Sequence, residues 1–184
     1  MTKKNKKHGK QNKHIAKIQS VIETLFSNPY ISIKKKNGFV YAERKGRDSV
    51  AIVLTRNNGT EVMMRYQPLI ADGGKWYGCP ITGSMDHEDE IPEECAVREI
   101  AEESGFIVDI DELLCLTSYI VCTQTNEICH LFTIDVTGLE QGKDRNTEMG
   151  ESGTNKWGPL SSLLTSPYSA SLIAYGLLKE GITA

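Results

Sequence analysis

The sequence predicts a mixed α+β fold, and three observations carry that expectation. Strand-type apolar runs lie on both sides of one internal helical pattern at 92–104, a second helical pattern closes the chain, and Asn37-Gly38 and Asn58-Gly59 mark tight hairpin turns. The 184 residues are 39% apolar and 24% charged, enough to bury one sizeable core.

Taken in order, residues 1–13 are rich in Lys, Asn and Gln with no apolar residue after Met1, and a disordered basic tail is expected. Over 14–48 a helix and a hairpin are expected. Ile15, Ile18, Ile22, Leu25 and Phe26 recur at three- and four-residue steps, which predicts an amphipathic helix over His14–Ser27, ended before Asn28-Pro29. Tyr30–Ile33 and Phe39–Ala42 then flank Asn37-Gly38, whose residues accept the positive φ angles of a tight turn.

The main domain is expected over 49–184. Ser49–Thr55 is a near-continuous apolar run fit for a buried strand, joined through Asn57-Asn58-Gly59 to a partner at Glu61–Gln67. Trp76–Ile81, Leu114–Cys122 and Ile128–Val136 read as further strands. Residues 138–156 are polar and Gly-rich, too long for an ordinary connection. Ser166-Pro167 predicts a helix start, Leu172, Ile173, Leu177 and Leu178 its apolar stripe, and Gly181 its end.

Charge is unevenly placed. Seven of the 21 basic residues lie in residues 1–17 with no acid among them, leaving 14 bases against all 24 acids in the rest. The basic tail lacks the interleaved aromatics of a nucleic-acid module, so nucleic acid is not the favoured partner. No apolar run reaches the roughly 18 residues of a membrane span, and no secretory signal pattern opens the chain. No membrane contact and a cytoplasmic location are the expectation. The five cysteines form no CxxC pair, which argues against a disulfide framework, and Cys129-His130 lacks near partners for a zinc site.

The chemistry concentrates in residues 83–106. On a regular helix Ala96, Val97, Ile100, Ala101 and Ser104 fall in one arc of about 140°, while Glu102, Glu99 and Glu103 lie at about 240°, 300° and 340° from Ala96. Carboxylates so spaced repel one another, and Arg98 is the only base among the twelve acids from Asp86 to Glu112. Hard oxygen donors at that density suit Mg²⁺ or Mn²⁺.

The same segment resembles the Nudix box, Gx5Ex7REUxEExGU with U a bulky apolar residue. Glu90, Arg98-Glu99, Ile100, Glu102-Glu103, Gly105 and Phe106 fit in type and spacing. Gly83 stands one residue early, so Ser84 occupies the box-glycine position, and Ile91 stands where Ser or Thr often caps the helix. The resemblance implies the Nudix fold, a mixed sheet sandwiched between helices (α/β/α). It further implies a hydrolase that uses Mg²⁺ or Mn²⁺ to cut a pyrophosphate bond. Glu99, Glu102, Glu103 and Ser84 are then the metal ligands, Glu90 and Arg98 a supporting pair, and Glu103 and Glu99 catalytic through the metal. A base from outside the box is expected in the 138–156 loop, at Glu151 ahead of Glu148.

Beyond the box, Val62–Pro68 and Thr125–Phe132 are similar to the ADP-ribose pyrophosphatase branch, which makes a nucleoside diphosphate linked to another moiety the favoured substrate. Arg65, Arg56 and Lys75 are candidates to meet phosphate, and Trp76, Tyr77 and Tyr66 to stack on a base. Competing readings are hydrolysis of nucleoside triphosphates, dinucleoside polyphosphates or capped RNA, and a silent nucleotide-binding domain. N-terminal elements form dimer surfaces in many relatives of that branch, so a homodimer is a further expectation.

Overall fold

Two sheets organise residues 21–44, 46, 48–143 and 153–181, which the computed structural model describes. The first is antiparallel, with β1 (Glu23–Ser27), β2 (Ile31–Lys36) and β3 (Phe39–Arg44) in that order. Asn37 and Gly38 take φ of 54° and 84° in the β2–β3 turn, as the Asn-Gly pair predicts.

The helix expected over His14–Ser27 is corrected in its described part: Glu23–Ser27 is a strand. Residues 14–20, like the expected tail at 1–13, lie outside the described residues. The physical reason is the turn that follows. Asn28 Oδ1 accepts from both Tyr30 N and Ile31 N at 2.8 Å, an Asx turn that folds the chain back. The edge of β2 then offers backbone partners that a helix would leave unused, and Glu23 comes opposite Lys35.

The second sheet holds β4 (Ser49–Arg56), β5 (Glu61–Leu69), β6 (Lys75–Cys79), β7 (Ile81–Ser84), β8 (Leu114–Ile120), β9 (Ile128–Asp135) and β10 (Thr154–Pro159). Its path is β10-β5-β4-β9-β8, with β6 added to β5 and β7 to β4. Only β4 and β9 run parallel. The β4–β5 hairpin pairs only at Thr55–Val62 and Arg56–Glu61 before the strands separate. β7 takes the freed edge of β4, and β6 pairs with the far end of β5.

Alternation along β4 defines two cores. Val50, Ile52 and Leu54 pack with Cys95, Ala96 and Ile100 of α1 (Pro92–Ser104). Ala51 and Val53 pack on the other face with Ala170 and Ala174 of α2 (Ser169–Lys179). The sheet is therefore layered between helices. α1 starts with Pro92 at its first turn and with Glu94 accepting from Ile91 N at 3.2 Å, and it ends at Gly105 with φ 78°.

The C-terminal helix begins later than Ser166-Pro167 predicts. Ser166 Oγ accepts from Tyr168 N (3.3 Å) and from Ser171 Oγ (2.8 Å), so it shapes the turn ahead of α2 without capping it directly. Leu172 of the expected stripe is exposed, because the small residues Ala170 and Ala174 form the buried line. The 138–156 loop ends earlier than expected, at β10. Among the described residues no helix is long and apolar enough to cross a membrane.

Ile100 is fully buried at the centre of the α1 core. Ile100→Ala is expected to cost about 2–5 kcal/mol through lost burial and the cavity left behind, read as a lower urea midpoint with an unchanged m-value.

Candidate active site

A cleft of about 960 Å³ is lined by α1, by the β4 and β7 ends at Ser49 and Ser84, and by the start of α2. Gly83, Ser84, Arg98, Glu99, Glu102 and Glu103 line one wall. β7 brings Ser84 there by pairing it with Ser49 of β4, and α1 brings the acids. Gly83 has a steric requirement: a Cβ at that position would lie 2.2 Å from Glu99 Cγ, so Glu99 rests directly on the β7 backbone.

Arg98 is the electrostatic centre of this wall. Its guanidinium donates to both oxygens of Glu90 (2.9 and 3.2 Å), to Glu99 Oε1 (2.6 Å), to Glu102 Oε2 (3.3 Å) and to the Ser84 carbonyl (3.3 Å). The hydrogen bonds from Arg98 hold the Glu90 carboxyl below its ordinary range, and Glu90 in turn raises the Arg98 guanidinium. Cys95 donates weakly to the Ser84 carbonyl at 3.6 Å, and burial pushes its thiol up to about 12.

Glu103 departs from the expected outward face. It is 5% exposed, and its Oε1 lies 3.1 Å from Nε of Arg65, which is 1% exposed. Arg65 Nη1 (3.0 Å) and Asn155 Nδ2 (2.6 Å) both donate to the Glu103 carbonyl, capping the end of α1. The helical wheel contains the reason: Glu103 lies only about 20° from Ala96, at the border of the buried arc.

The phosphate and base candidates are largely redistributed. Arg65 is not in the cleft wall; Gly153 covers its guanidinium so closely that a Cβ there would lie 2.6 Å from Cζ. Arg56 sits at the opposite end of β4, 4.2 Å from the Trp157 ring centre and 2.7 Å from Glu61. Trp76 is 54% exposed on β6, and Tyr66 packs into the α2-side core beneath Lys156. Lys75 and Tyr77 both engage Asp72. None of these side chains lines the cleft. Glu148 and Glu151 lie outside the described residues.

The same cleft is lined by residues that the motif does not reach: Arg44, Glu127, Tyr119 and Tyr168. Glu127 is 9% exposed, accepts from Ser49 Oγ at 2.7 Å and lies 3.1 Å from Arg44 Nη1. Glu127 ends the polar run Thr123–Glu127 just ahead of β9, and nothing in that run signalled its burial. Arg44 and the tyrosines had no signal either, since only folding brings them there.

Among the described residues no three of His, Cys, Asp and Glu converge on one point. Glu99 and Glu102 are drawn to Arg98 and Glu103 to Arg65. The donor chemistry nevertheless fits a hard divalent ion: Glu99, Glu102, Glu103 and Ser84 all line one cleft, with Glu99 cradled against Gly83.

A mixed sheet thus lies between helices, and an acid-rich helix lines a cleft beside a Gly-Ser strand end. The family model for the NUDIX domain matches residues 45–175, most of the chain, and the chain belongs to the Nudix family. Membership implies, in general, hydrolysis of nucleoside diphosphates linked to another moiety. No curated protein matches the chain.

Two outcomes follow from the geometry. Arg65→Met leaves a buried carboxylate without its cation and is expected to cost about 3–5 kcal/mol, measured by urea unfolding. Because Glu90 is depressed in the fold, its contribution is present above the ordinary carboxylate range and is lost as pH falls through its folded value. Glu90→Gln is therefore expected to be less stable than wild type at pH 7, with the gap closing below about pH 4 in melting curves.

Proposed function

We propose that the chain hydrolyses the pyrophosphate bond of a nucleoside diphosphate linked to a second group, an ADP-ribose-like compound first, with Mg²⁺ or Mn²⁺. The observation that carries this reading is the placing of Ser84, Glu99, Glu102 and Glu103 on one wall of a cleft of about 960 Å³. A volume of that order suits a nucleotide bearing a second group.

Glu99, Glu102, Glu103 and the Ser84 carbonyl would hold the ions. When bound, such ions would supply neutralising charge to the substrate phosphates and make a water molecule easier to deprotonate. Arg98 balances Glu90, Glu99 and Glu102 and holds the acid wall together against its own repulsion. Tyr119 and Tyr168 border the cleft, and either ring offers a face to a base in place of Trp76 or Tyr66. Glu151, with Glu148 second, stays the proposed base for the attacking water.

The test is product identification after incubation with Mg²⁺ and ADP-ribose, dinucleotides, nucleoside triphosphates, dinucleoside polyphosphates and capped RNA. AMP plus ribose 5-phosphate from ADP-ribose is the expected result. Turnover of triphosphates, dinucleoside polyphosphates or caps alone would overturn the substrate class. Glu99→Gln is expected to lower kcat on the order of 100-fold and to weaken Mn²⁺ binding, without the stability loss that changing Glu103 brings.

A further inference from the structure

Ser84 stands where the box has glycine, and its added hydroxyl is in use. Arg44 Nη2, from the last residue of β3, donates to Ser84 Oγ at 2.7 Å. The other arm of the same guanidinium, Nη1, lies 3.1 Å from Glu127 Oε1. Glu127 also accepts from Ser49 Oγ at 2.7 Å, and Ser49 is the register partner of Ser84 in the β4–β7 ladder. The contacts thus close into a ring: Ser84, Arg44, Glu127, Ser49 and back through the sheet to Ser84.

The chain after Arg44 presses on the same turn. A Cβ on Gly46, which has φ 62°, would lie 2.6 Å from the Met85 carbonyl oxygen, and Met85 N donates to the Asp48 carbonyl at 3.1 Å. Ala42 N donates to Gln124 O at 2.8 Å and ties β3 to the loop that carries Glu127. The N-terminal sheet is therefore anchored both to the Ser84–Met85 turn and to that loop.

We propose that Arg44 is a positioning residue for the metal-binding turn: clamped by Glu127, it fixes Ser84, and the N-terminal sheet is thereby a working part of the active site. The inference rests on the proposed metal-dependent hydrolysis and goes beyond it. A carbonyl ligand on a short turn loses orientational freedom when it binds an ion, and a turn held beforehand loses less. Arginine is required because only a planar fork reaches Glu127 and Ser84 together; a lysine reaches one. The hydroxyl of Ser84 is the acceptor that this fork needs, which gives the departure from glycine a purpose.

The experiment is a double-mutant cycle on the full chain with S84A, R44M and the pair, plus R44K, reading Mn²⁺ affinity by electron paramagnetic resonance without substrate, together with kcat and KM. S84A and R44M are each expected to weaken Mn²⁺ binding by about tenfold, with R44K no better than R44M. The double variant is expected to be no weaker than the worse single one. S84A leaves the Arg44–Glu127 pair in place and so tests the idea even if R44M loosens the N-terminal sheet. Additive losses in the double variant overturn the proposal. So does unchanged Mn²⁺ affinity with a raised KM in R44M, which would make Arg44 a direct substrate contact. Wild-type protein that binds no Mn²⁺ would remove the functional reading and this one with it; wild-type binding with unaltered variants removes this one alone.

Discussion

The buried ion pair between Arg65 and Glu103 is the constraint on which the site depends. β5 leaves β4 after Val62, and Arg65 lies beyond that point, where the sheet has opened beside the end of α1. An apolar pair of similar volume would pack there at comparable or lower free energy, since desolvating two ions offsets most of their attraction. Direction is what the ionic pair adds. Arg65 meets both the carboxylate and the carbonyl of Glu103, and Asn155 of β10 meets the carbonyl again, so the C-terminal turn of the acid helix is registered against two strands.

The same logic of one cation distributing several acids recurs on the cleft wall. Glu99, Glu102 and Glu90 crowd one end of a domain that is strongly acidic outside its tail, and Arg98 touches all three. Glycine makes the crowding possible. Without a Cβ at Gly83, the β7 backbone and Glu99 approach closely, and Glu99 and Ser84 line one cleft. A third cation, Arg44, is held by Glu127 and meets Ser84. The three arginines come from three different elements, β5, α1 and β3.

Much of this was legible in the sequence where the signal is local. Pro92, the acids of the first turn and Gly105 bound α1 at the residues expected, and the Asn-Gly turns opened the β2–β3 and β4–β5 hairpins. The box spacing named the cleft-lining acids because a helix converts spacing into a face. Arg65 was misread since its strand neighbours resemble a substrate-binding run, while its burial depends on β10 and Gly153, some ninety residues later. Glu23–Ser27 was misread for a related reason: Ile22, Leu25 and Phe26 satisfy a helical period, yet the edge of β2 supplied partners that periodicity cannot see.

By itself, then, the sequence determined the acid helix, its caps, the hairpin turns and the chemical character of one wall, all consequences of residues within a few turns of one another. The tertiary structure decided which charges meet. Glu103 turned inward to Arg65, Arg56 was carried to the far end of β4, and Arg44 and Glu127 were brought beside Ser84 from segments about eighty residues apart. Pairing of charges across a sheet depends on register, on the side to which each strand turns its side chains, and on which edges remain free. Those are properties of the assembled sheet, which no local window contains.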